Sequence, residues 1–252
     1  MTKEEKLEIF YSPMMKIQSK ISQAVFYHAL AARKKNNNEK FQIPNYVMNY
    51  NIATTLFFHY TSEYPEEYKF AERANRAIRK KTNRLRKNLS RILNFFPTLS
   101  FVTFTLTDDA LNSTSESTRR KKLQRLLKSL NCPSFFCLAY STRHKREHYH
   151  ALIASDINEL NWPYGLVDIR KIISDIPFNL VLFEEDNHDK MSNLQADKIL
   201  RIKDLQIQIR KLTRYLCNQS YEASILKDEQ TRVSYCNRDL VKKLEYEQDN
   251  VF

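Results

Sequence analysis

Gly165 is the only glycine among 252 residues, and that scarcity removes whole families of folds. Walker loops and dinucleotide-binding turns both need glycines at fixed spacing so that the backbone can wrap a phosphate. A chain with one glycine has neither, so any phosphate it binds must be held by side chains. Suitable side chains are plentiful. Lys and Arg number 41 against 29 Asp and Glu, a formal net charge of +12 with a pI of about 9.4. Such an excess favours a polyanionic partner, nucleic acid before anionic membrane. The apolar fraction of 42%, with 12% aromatic, is ample for a packed core and argues against wholesale disorder.

The opening residues MTKEEKLEIF mix acids and bases without the apolar run of a secretory leader. No stretch approaches the roughly 18 apolar residues of a membrane span, so a cytoplasmic protein with no membrane partner is expected. Cys132, Cys137, Cys217 and Cys236 show no CxxC spacing and read as buried or incidental thiols in a reducing compartment.

The first hundred residues have helical periodicity. Ile17, Ile21, Ala24 and Val25 form one apolar stripe that ends before Asn36-Asn37-Asn38. A second helix is expected from about Tyr68 to Leu93. It gathers Arg73, Arg76, Arg79, Lys80, Lys81, Arg84, Arg86, Lys87 and Arg91. Such a helix reads either as a solvated face or as one lying along a phosphate backbone, where neutralised phosphates release counterions.

From Ser100 the period changes from helix-like to two. Val102, Phe104 and Leu106 alternate with Thr103, Thr105 and Thr107, the pattern of a strand with one buried face. A polar loop over 108–117 and a helix with the stripe Leu123, Leu126, Leu127 and Leu130 follow. Further strands are expected over 134–140, 148–154 and 166–169. A last helix over 197–219 is preferred to a strand because the longer pattern fits it. Strands in hairpins with intervening helices predict an α+β domain built on an antiparallel sheet.

His148 and His150 are one residue apart on a predicted strand, so their imidazoles share a face. Two imidazoles on one face can begin a metal site, although an HxH pair also occurs as plain surface histidines. Tyr215, on the last helix, reads from periodicity alone as a core aromatic. Taken in order, FVTFTLTDD, REHYHALI, the segment Asn161–Ile169 containing Trp162-Pro163-Tyr164-Gly165, and KLTRYLCNQS resemble the HUH endonucleases, most closely the rolling-circle replication initiators of plasmids and phages.

That resemblance covers about Ser100 to Arg238 and implies a mechanism. The fold would be a central antiparallel five-stranded sheet flanked by helices, preceded by a helical, basic N-terminal region. His148 and His150 would bind Mn²⁺ or Mg²⁺. Tyr215 would attack the scissile phosphate of single-stranded or hairpin origin DNA and form a 5′-phosphotyrosine. Host polymerase and helicase would follow in a bacterial cytoplasm. The expected division is 1–98 for the N-terminal region, 99–240 for the nuclease domain and 241–252 for a tail.

Two features of the family pattern are absent. The acid expected on the second strand falls at Tyr140 or Ser141, and Glu147 should face away from His148. The lysine three residues after the tyrosine is Asn218. Gln219, four residues after Tyr215, lies on the same helical face and resembles the third metal ligand of single-tyrosine HUH transposases. Lys211 and Arg214 are the local cations for the phenol or for DNA, and Arg79, Lys80, Arg84 and Lys87 are the expected DNA contacts upstream. Two alternatives remain: a single-tyrosine transposase, and a weakened or non-cutting hairpin-binding regulator of the same fold.

Overall fold

The structure is a computed structural model. It describes residues 1–93, 96, 98–141, 146–173, 193–227 and 234–236, of which 173, 193–202 and 234–236 are described by backbone only. His144 and the expected tail over 241–252 lie outside the described residues. Two compact units divide the chain, Met1–Lys80 and Lys81–Phe252.

The first unit is helical. Helix α1 (Lys3–Tyr11) opens with a capping box between Thr2 and Glu5, which satisfies two end N–H groups at once. Ser12 caps α2 (Pro13–Asn36), with Pro13 in its first turn, where no N–H is needed. Asn38 leaves that helix with φ at 57°, a conformation asparagine tolerates. Asn49 caps α3 (Tyr50–Glu63). The stripe of α2 is corrected in one position: Ile21 and Ala24 are buried, whereas Val25 is exposed. Gln18 fills the buried side instead, with its amide held by Asn75 and Ser22, each at 2.8 Å. Helix α4 (Pro65–Leu93) begins in this unit and continues beyond Lys80.

The second unit is α+β, with every strand pairing antiparallel. Strands β1 (Thr98–Thr105), β2 (Ser134–Tyr140), β3 (Glu147–Ile153) and β4 (Val167–Ile173) lie in the order β4-β1-β3-β2, and the three-residue β5 (Ser234–Cys236) pairs outside β2. The buried face carries Val102, Phe104, Phe136, Leu138, Tyr149, Ala151 and Ile153, covered by Leu123 and Leu127 and by Trp162. Leu123 and Leu127 belong to α6 (Glu116–Ser129). The opposite face carries the histidines, and α7 (Asn193–Lys227) packs over its β2 side.

Three sequence readings change. The polar stretch after β1 is not wholly loop: Asp108–Ser113 form α5, because the Thr107 hydroxyl accepts the Ala110 N–H and two acids follow in the first turn. The fourth strand extends to Ile173, since Asp168 and Arg170 alternate outward as an exposed face would. The last helix is longer than expected, 35 residues. Among the described residues, no helix is long and apolar enough to cross a membrane.

Candidate functional site

Strand pairing sets ranks of side chains across the sheet. Thr103, His150 and Cys137 are register partners, as are Thr105, His148 and Ala139. Residues directly opposite on neighbouring strands project from the same face, so both histidines stand in the midst of the sheet, flanked by threonines on β1. Phe101 lies nearly parallel to the His150 ring, with centroids 5.2 Å apart. His150 is 5% exposed.

Three polar atoms converge here. The Nε2 atoms of His148 and His150 are 3.1 Å apart, and the Tyr215 hydroxyl lies 2.9 Å from His150 Nε2. His148 Nδ1 is 3.2 Å from the Arg146 carbonyl. A carbonyl only accepts, so Nδ1 carries the proton and Nε2 presents a lone pair. His150 Nδ1 meets the Thr103 hydroxyl at 3.1 Å. Both rings therefore have their outer nitrogen engaged, the arrangement that orients an imidazole for metal ligation.

Electrostatics keep the rings neutral. Burial lowers the pKa of His148, the Arg146 carbonyl and the charges of Glu222 and Glu147 opposing. Burial, with His148 adding, pushes His150 down to about 3. So weak a base is poorly suited to taking a proton at neutral pH, while its lone pair remains available to a cation. Burial also raises the Tyr215 phenol above its usual range, with Cys137 and Glu222 adding.

Tyr215 is 42% exposed although its helix is anchored. Ile209, Thr213, Leu216, Cys217 and Ser220 form the buried side of α7. Cys137 Sγ donates to the Leu216 carbonyl at 3.6 Å, and Lys81 Nζ reaches Ser220 Oγ at 2.5 Å. The phenol is thus held at the edge of a fixed surface, open to a ligand. Gln219 is half-buried on the same helix and makes no hydrogen bond to either histidine. Sequence reading missed Glu222. It is 3% exposed and acts electrostatically on both His148 and Tyr215. Its position seven residues after Tyr215 was the available signal, since that spacing repeats a helical face.

Two devices fix the strands that carry the site. On the far face, Glu147 accepts from Arg119 Nη2 at 2.8 Å and Nε at 3.1 Å, from Tyr149 at 3.3 Å, and pairs with Lys227 at 3.2 Å. Glu147 therefore faces away from His148, as expected, and ties the start of β3 to α6 and to the end of α7. On the β1 side, Thr105 N donates to the Leu166 carbonyl at 2.9 Å, Thr107 N to the Tyr164 carbonyl at 2.9 Å, and Trp162 Nε1 to the Thr105 carbonyl at 3.2 Å.

Of the expected site residues, Tyr215, His148 and His150 are brought together. Lys211 and Arg214 are exposed on α7 beside the tyrosine, and Arg79, Lys80, Arg84 and Lys87 are exposed along α4. Among the described residues, no group of three or more His, Cys, Asp or Glu is placed to hold a metal ion. The two imidazoles alone could supply protein ligands from that set, leaving the other positions of a hard divalent cation to water or phosphate oxygens. No family model matches the chain, and no curated protein or solved structure matches it significantly.

Proposed function

We propose that the second unit is an HUH nuclease domain, built on a five-stranded sheet, that nicks and rejoins single-stranded DNA at an origin. What carries the reading is the convergence of His148 Nε2, His150 Nε2 and the Tyr215 hydroxyl. Tyr215 Oη gives up its proton as it bonds to phosphorus, the bond from phosphorus to the 3′ oxygen breaks, and that oxygen takes up a proton and leaves as a free 3′-hydroxyl. The 5′-phosphotyrosine stores the phosphodiester, so rejoining needs no ATP. A bound Mn²⁺ or Mg²⁺ supplies Lewis-acid polarisation of the scissile phosphate.

His148 and His150 hold that cation as neutral ligands, oriented by Arg146 and Thr103. Lys211 and Arg214 face solvent where the strand's phosphates would approach. Within this reading the protein is a rolling-circle initiator, and the freed 3′-hydroxyl primes a host polymerase after a host helicase opens the duplex.

The test is incubation with a tiled single-stranded library of the element's own DNA and Mn²⁺, resolved on a denaturing gel. A covalent adduct is expected, lost in Tyr215→Phe and abolished by chelator or by His148→Ala. Binding without any adduct would overturn the nuclease reading and leave a non-cutting binder of the same fold.

A further inference from the structure

Leu166 is the most exposed of the large apolar side chains described, at 78%. A lone exposed leucine is ordinary, but this one is held as few surface residues are. Its carbonyl accepts the Thr105 N–H at 2.9 Å and the Thr105 hydroxyl at 3.2 Å. The residue before it is Gly165, where a Cβ would lie 2.2 Å from the Thr105 carbonyl oxygen. Trp162, 5% exposed, binds that same carbonyl from the other side. The backbone that presents Leu166 is thus fixed on both flanks.

Its direction follows from the ladder. Leu166 lies one residue before β4; Val167 and Ile169 pack against the core cluster, whereas Leu166 stays exposed and its carbonyl bonds Thr105, on the face bearing His148 and His150. It sits beside Thr105, whose register partner on the other side is His148. Two strand spacings, about 10 Å, separate Leu166 from the histidine. An extended single strand passing over the histidines would bring a flanking nucleotide to Leu166.

We propose that Leu166 is the apolar contact for an unpaired DNA base flanking the scissile phosphate, held rigid by Trp162 and Gly165. This rests on the nicking reading above. The Thr103 and Thr105 hydroxyls nearby offer only hydrogen bonds, whereas a fixed apolar side chain packs on a base face without regard to base identity. Contact of this kind releases no counterions, so it contributes to binding without changing its salt dependence.

The experiment compares wild type, Leu166→Ser and Leu166→Phe on the single-stranded oligonucleotide that gives the Tyr215 adduct. Leu166→Ser is expected to raise KM and the Kd for the strand about tenfold. Its kcat, its Mn²⁺ activation constant and the slope of log Kd against log salt should be unchanged, and Leu166→Phe should restore KM. An unchanged KM in Leu166→Ser overturns the proposal, as does a loss confined to kcat or Mn²⁺ activation. Failure of wild type to form any adduct overturns the nicking reading and this proposal with it. A wild-type adduct with an indifferent Leu166→Ser overturns this proposal alone.

Discussion

Gly165→Ala tests whether the packing around the only glycine fixes the first strand. An added Cβ meets backbone on every near side: the Thr105 carbonyl oxygen at 2.2 Å, its carbon at 2.9 Å and Leu106 Cα at 3.1 Å. The first contact is more than about 1 Å inside ordinary non-bonded separation, and backbone cannot rotate aside as a flexible side-chain end can. The φ of +159° adds further strain for any residue with a Cβ. Moving the segment away breaks or stretches the bonds from Thr105 N to Leu166 and from Thr107 N to Tyr164, each 2.9 Å. Overpacking costs about 1–3 kcal/mol, and two weakened backbone bonds add about 1 kcal/mol each. A loss of about 3–5 kcal/mol is therefore expected, which for a unit of this size lowers Tm by about 10 °C. The assay is a thermal melt followed by circular dichroism, with the exposed Asn161→Ala as the neutral control. A Gly165→Ala protein melting within about 2 °C of wild type would refute the reasoning.

Glu147→Gln should be costly for a different reason. Arg119 is 4% exposed, and neutralising its partner leaves a buried cation without its counter-charge, worth about 3 kcal/mol or more. Urea denaturation measures it, and a midpoint equal to wild type would show the pair to be dispensable. Stability should also fall in mild acid. Burial lowers the pKa of His148 and pushes His150 down to about 3, so the unfolded chain takes up protons near pH 6.5 while the folded one does not. The stabilisation is full above the unfolded value and is lost as pH drops from 6.5 toward 3. His150 alone accounts for about 2 kcal/mol between pH 6.5 and 5. Urea midpoints across that range should slope downward in wild type and flatten in His150→Asn. An equal slope in both proteins would contradict it.

Much of this was legible in the sequence because it depends on period. Alternation placed Val102 and Phe104 inside and Thr103 and Thr105 on the other face, and the same rule put His148 and His150 together and Glu147 away from them. What periodicity does not encode is which distant element arrives over a face. Glu222 reads as one acid among many on a helix. Only the packing of α7 on the sheet shows that its charge acts on His148 and Tyr215. Arg119, in the basic run of α6, is buried because Glu147 and the carbonyls of Ala110 and Thr114 give its guanidinium enough partners, which no sequence period encodes. Helix α5 is six residues long, too short for an apolar period, and only the Thr107 cap marks it in the sequence. The role of Gly165 depends on the approach of the Thr105 carbonyl, a contact between segments that no local pattern encodes.

The histidine pair also carries a tension that no single protonation state removes. With His148 Nδ1 committed to the Arg146 carbonyl, its Nε2 can only accept. If His150 Nε2 accepts from Tyr215, two lone pairs face each other across 3.1 Å. If it instead donates, one proton must serve both His148 and the phenol oxygen. Either tautomer leaves one contact without a proton of its own, in a site too buried for the rings to charge easily. Partly satisfied buried polar groups are expensive and survive where function requires them. A cation accepting both lone pairs would relieve the conflict and leave the phenol free to face phosphorus. The Arg146 carbonyl and the Thr103 hydroxyl hold the two rings by their other nitrogens, so the pair stays facing.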